Sequence, residues 1–178
     1  PDLNFTHITT REGLSSDITT CVTEDKQGFI WIGTVNGLNR WDGYRLKQYY
    51  HDAGNRNSLP SNSVNTLFCD SKGRLWIGTP QGISCFLPDS NKFINYTVNE
   101  APPYHLEQDG EPRVYEDRQG EIWIVLYEAG VYHLDSHLGL EQPVVDSTSL
   151  FFQGRRRWGY SAIVADKEGR EWAYMGNR

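Results

Sequence analysis

An all-β chain built from repeated four-stranded units is predicted by three observations. The first is a frame of Asp, Gly three residues later and Trp three beyond that, which occurs four times. Its copies are Asp25-Gly28-Trp31, Asp70-Gly73-Trp76, Asp117-Gly120-Trp123 and Asp166-Gly169-Trp172. The second is the period: successive Trp residues lie 76−31 = 45, 123−76 = 47 and 172−123 = 49 positions apart. The third is the composition between the frames, where short β-branched and aromatic runs alternate with turn residues and no helical period is sustained over three turns. A fixed period of this length marks an array of stacked units.

Within a unit, an apolar residue stands three positions before each Asp: Val22, Leu67, Val114 and Ile163. The Asp-to-Gly step reads as a turn, because the carboxylate can bond back to turn amides and Gly tolerates positive φ. Phe29-Ile30-Trp31-Ile32, Leu75-Trp76-Ile77 and Ile122-Trp123-Ile124-Val125 read as second strands. Asn36-Gly37 and, more weakly, Gln81-Gly82 signal a hairpin after them. Third strands follow at 38–41, 83–87 and 131–134, and fourth strands at 44–50 and 93–97.

A four-stranded meander returning every ~40–50 residues is the sequence habit of a β-propeller blade. The expected division of residues 1–178 is an N-terminal strand at 3–8, blades at 14–50, 59–97 and 111–145, and a half blade at 160–175. This partial propeller, about three and a half blades of antiparallel strands, is too short for a common closed ring. A fragment of a longer propeller is the preferred expectation; two chains closing a ring as a homodimer is the other. Each repeat Trp is expected between neighbouring blades, where burying an indole removes roughly 150–250 Å² from water. At ~25 cal/mol per Å² this has an upper limit of about 4–6 kcal/mol per blade.

Composition narrows the function. Net charge is −6, with 23 acidic against 17 basic residues, which argues against general nucleic-acid binding. The run Arg155-Arg156-Arg157 reads as a solvated loop. No apolar run reaches about 18 residues, so no membrane-spanning helix is predicted. The chain begins at Pro1 with no signal-peptide pattern, as a mature secreted start or an excised piece would. Cys21, Cys69 and Cys85 occupy non-equivalent repeat positions and form no spaced metal set. His133 and His137 are four apart, but in a strand-to-loop stretch that spacing does not bring side chains together. No metal and no cofactor is expected, nor a nucleophile elbow. The repeated acids read as turn residues, which weighs against a lactonase-like propeller hydrolase.

The repeats resemble the two-component regulator propeller family. The resemblance is carried by Leu14-Ser15-Ser16-Asp17 through Asp25, Gly28, Trp31, Gly33, Thr34, Gly37 and Leu38, followed by Arg40-Trp41-Asp42-Gly43-Tyr44. The second copy runs from Ser58-Leu59-Pro60 through Asp70, Gly73, Trp76, Gly78 and Thr79. The third departs from it at Val125-Leu126, and the fourth at Ala173-Tyr174. Residues 5–14 also resemble the start of the sensor region of Bacteroidetes-type hybrid two-component histidine kinases. That resemblance implies a periplasmic sensor of two propellers and a β-sandwich, joined through a membrane helix to a kinase, a receiver and a DNA-binding module. It further implies recognition of glycan-derived oligosaccharides and relay to transcription control. The chain itself carries no phosphoacceptor-His motif and is not expected to be an enzyme. Its implied partners are an oligosaccharide, the remaining blades and the other sensor domains.

A ligand is expected on the face that gathers the loops between second and third strands and the blade-to-blade links. Candidates there are Asn36, Gln81, Tyr104, His105, Tyr127 and Glu128, whose amides, carboxylate and rings suit sugars. An interaction scaffold binding protein on the same face, with no small ligand, is the alternative.

Overall fold

A computed structural model describes residues 7–97, 113–126, 130–134, 137–139, 145–146, 158–165 and 171–177. The first sheet is a meander of β1 (Thr19–Glu24), β2 (Ile30–Thr34), β3 (Gly37–Trp41) and β4 (Leu46–Tyr49). The second repeats it with β5 (Thr66–Cys69), β6 (Leu75–Thr79), β7 (Gly82–Leu87) and β8 (Lys92–Thr97). The third contains β9 (Arg113–Glu116), β10 (Ile122–Leu126), β11 (Gly130–Leu134) and β12 (Val145–Asp146). A two-stranded sheet of β13 (Trp158–Ala165) and β14 (Glu171–Asn177) follows. All pairings within these sheets are antiparallel, and no helix occurs among the described residues. The architecture is therefore the all-β propeller-type array expected. The expected strand at 3–8 falls mostly on residues 1–6, outside those described.

Register decides which residues meet between sheets. In β6, Trp76 faces one way and Leu75 and Ile77 the other, as strand alternation requires. Trp31, Leu38 and Tyr49 of the first sheet pack on Leu75, Ile77, Phe86 and Phe93 of the second. Leu59 and Val64, from the link between the sheets, complete that core. The Trp31 and Phe86 rings meet edge-on, with centroids 5.0 Å apart. One repeat later, Trp76, Ile83 and Cys85 pack on Ile122, Ile124, Tyr132 and Leu134. Trp31 and Trp76 are each 1% exposed, so both indoles lie between neighbouring blades as the sequence predicts.

The hairpins refine the turn assignment. The two loop residues are Val35-Asn36 and Pro80-Gln81, and each following Gly opens the third strand opposite the repeat Thr. Gly82 has φ +143°, and a Cβ there would sit 2.2 Å from the Tyr96 carbonyl oxygen. The fourth strand is thus pressed against a position that only Gly can occupy. Thr34 and Thr79, both fully buried, donate their hydroxyls to Gly37 O and Gly82 O at 2.9 and 3.1 Å.

Candidate functional site

The acids of the repeat frame hold more than a turn. Asp25 Oδ1 accepts from the amides of Gln27 and Phe29, while Oδ2 accepts from Trp31 Nε1 at 2.7 Å. Asp70 repeats this with Lys72 N, Arg74 N and Trp76 Nε1 at 2.9 Å, and adds the Arg74 guanidinium. Asp117 takes Gln119 N, Glu121 N and Trp123 Nε1 at 3.0 Å. One carboxylate thereby folds the turn with one oxygen and satisfies a buried indole with the other. Burial alone would raise Asp117, but the Trp123 indole and the amides of Glu121 and Gln119 outweigh it and hold the carboxyl below its usual range. Asp166 and Gly169 lie outside the described residues.

Residues flanking these clamps bind one blade to the next. Lys26 Nζ donates to Ser71 O, and Ser71 N donates to the Glu116 carboxylate at 2.8 Å. The frame acids and their flanks are thus committed to the scaffold, which leaves them unsuited to metal or acid–base work.

Among the ligand candidates, Asn36 and Gln81 are exposed at the tips of the β2–β3 and β6–β7 hairpins. The link between the first two blades meets the first tip: Gly37 N donates to Asn62 O at 2.6 Å, and His51 N to Asn62 Oδ1 at 2.7 Å. Hairpin and link therefore share one end of the sheet stack, as expected. No hydrogen bond joins the Asn36 and Gln81 side chains among the described residues. Tyr104, His105, Tyr127 and Glu128 lie outside the described residues.

Sequence reasoning missed a cleft between the second and third sheets. It has a volume of about 300 Å³ and is walled by Thr66 and Phe68 of β5 and by Arg113 and Tyr115 of β9, with Trp76 and Gly78 of β6 behind them. β1 lies directly against β5, whereas β5 and β9 stand further apart, and the cleft lies between them. The only sequence signal was the change at one register position, from Cys21 to Thr66 to Arg113. Burial pushes the Cys85 thiol, opposite Trp76 in β7, up to about 12.

Comparison with known proteins agrees with this geometry. Residues 13–36 and 58–81 match the family described as two component regulator propeller. Histidine kinase P4 of Formosa agariphila is 34% identical over 55 residues, 31% of this chain and 4% of that protein. The extracellular domain of one hybrid two component system of B. thetaiotaomicron superposes with a TM-score of 0.74 at 23% identity, over 94% of this chain. A second such domain from the same organism gives 0.62 at 22% identity, over 88% of this chain. The chain spans 23% and 22% of those two structures, and so only a small part of each relative. Matched residues and fold coincide in the first two sheets, where residues 13–36 and 58–81 are similar to two-component regulator propeller repeats.

Proposed function

We propose that this chain is part of the extracytoplasmic sensor of a hybrid two-component histidine kinase, on the periplasmic side of the membrane. In this reading it recognises, or helps recognise, a glycan-derived oligosaccharide and passes the signal toward transcription control. The observation that carries the reading is the pairing of the matched repeats with the blade architecture of extracellular two-component domains. A non-catalytic role is supported by Asp25, Asp70 and Asp117, whose oxygens are all engaged by their own turns and indoles.

Further blades are the natural partners of the array. Val22 is 67% exposed on β1, although its counterparts Leu67 and Val114 pack against the preceding sheet. The first sheet therefore presents a face built to receive another blade, from the same polypeptide or from a second copy. The test of function is a reporter strain carrying the full-length sensor, grown on defined oligosaccharides. Induction by one glycan class, abolished when the segment spanning residues 7–97 is replaced by an unrelated blade pair, is expected. A constant reporter signal across all glycans would refute the sugar-sensing reading and favour the protein-interaction scaffold.

A further inference from the structure

We propose that Asn36 is a site of spontaneous deamidation, gated by the link between the first two blades, which holds the amide of Gly37. The fold itself sets up the reaction. Gly37 opens β3 at φ +124°, and a Cβ there would stand 2.9 Å from the Tyr50 ring and 3.1 Å from Tyr49 O. Only Gly is unstrained at that position, so the residue before it is always followed by an unhindered amide. The preceding position is less constrained. Asn36 does not have positive φ, and the second blade carries Gln81 in the same place before Gly82. Asn36 is also exposed at its hairpin tip, within reach of water.

The chemistry needs only the chain and water. Gly37 N loses its proton to solvent base and bonds to Asn36 Cγ; the Cγ–Nδ2 bond breaks and the side-chain nitrogen leaves as ammonia. The five-membered succinimide so formed takes up one water, which opens it to Asp or to isoaspartate. From Gln81 the corresponding ring has six members and closes far more slowly. In the native hairpin three hydrogen bonds oppose ring closure. Gly37 N donates to Asn62 O at 2.6 Å, which engages the attacking nitrogen and its proton. The buried Thr34 hydroxyl accepts from Asn36 N at 3.0 Å and donates to Gly37 O at 2.9 Å, fixing the backbone on both sides of the reacting peptide. Closure requires rotation about the Asn36 Cα–C bond, which breaks the Gly37 contacts. The link is pinned in turn by His51 N on Asn62 Oδ1 at 2.7 Å and by Val64 N on Thr34 O at 3.0 Å. Deamidation therefore proceeds from the fraction of molecules in which the link has lifted, and its rate reports that local opening. The product puts a new carboxylate on the end of the stack shared by hairpin and link, and isoaspartate adds a methylene to the backbone between β2 and β3.

The test is incubation of this chain at mildly alkaline pH, in buffer and in guanidinium chloride. Mass spectrometry of the tryptic peptide Gln27–Arg40 then reads the exchange of NH for O at Asn36 and separates Asp from isoaspartate. In denaturant, conversion is expected at Asn36 and not at Gln81, and Asn36→Gln should abolish it. In buffer the reaction should run slower by at least about tenfold, the joint effect of three ordinary hydrogen bonds. Asn62→Ala, which frees the link from His51, should speed the native reaction about two- to tenfold, as should Thr34→Val. Neither should change the rate in denaturant. If Thr34→Val does not fold, Asn62→Ala decides. No conversion at Asn36 in the denatured chain overturns the site. Equal rates in buffer and denaturant, or a native rate unmoved by Asn62→Ala, overturn the gate.

Discussion

Truncating Asp70 to Ala tests the claim that one carboxylate serves both a turn and an indole. Asp70 is 2% exposed and accepts four hydrogen bonds, from Lys72 N, Arg74 N, Arg74 Nε and Trp76 Nε1. In Asp70→Ala the two turn amides lose their acceptor, at about 0.5–1.5 kcal/mol each. The Trp76 N–H is then stranded in the inter-sheet core, costing a further ~1–3 kcal/mol. Arg74 is partly exposed and can turn to water, so it contributes less. The expected loss is about 3–5 kcal/mol, a large fraction of the ~5–15 kcal/mol that holds a typical domain folded. Urea denaturation followed by circular dichroism measures it. A double-mutant cycle with Trp76→Phe isolates the indole bond, since Phe removes the donor and the cavity left by its smaller ring enters both arms of the cycle and cancels. A coupling of about 1–2 kcal/mol is expected. A loss below about 0.5 kcal/mol for Asp70→Ala, or zero coupling in the cycle, would refute the reasoning.

Three further outcomes follow from the same geometry. Gly82→Ala should destabilise strongly, because its Cβ would strike the Tyr96 carbonyl, whereas Gly43→Ala meets nothing within 4 Å and should show only the strain of φ +95°; paired melting curves compare them. The lowered Asp117 carboxyl contributes stability that is fully present above its unfolded value and is lost as pH falls through the folded one, so Asp117→Asn should flatten the acid limb of a stability–pH profile. Cys85, buried and raised to about 12, should resist a thiol reagent at mildly alkaline pH until denaturant is added, a difference that native and denatured thiol counts detect directly.

The strand plan and the inter-blade core were legible because both rest on local, repeated chemistry. Trp31 and Trp76 announced their burial through period alone, and the Asp-to-Gly turn through its residue types. The bond from Asp to the indole was less visible, although the invariant six-residue step from Asp25 to Trp31, Asp70 to Trp76 and Asp117 to Trp123 encodes it. A turn motif explains an Asp but does not require its distance to a Trp on the next strand. The cleft was illegible for a different reason. It lies where β5 and β9 stand further apart than β1 and β5 do, a matter of spacing between sheets that no single strand records.

The Asp–Trp clamp has a consequence for how such a chain can grow. Each copy answers its own buried N–H within its own sheet, and the surface it offers its neighbour is chiefly apolar. A duplicated or deleted repeat therefore strands no indole donor. Blade number is left free to drift during descent, while the individual blade, which must be inherited whole, is the unit that selection preserves.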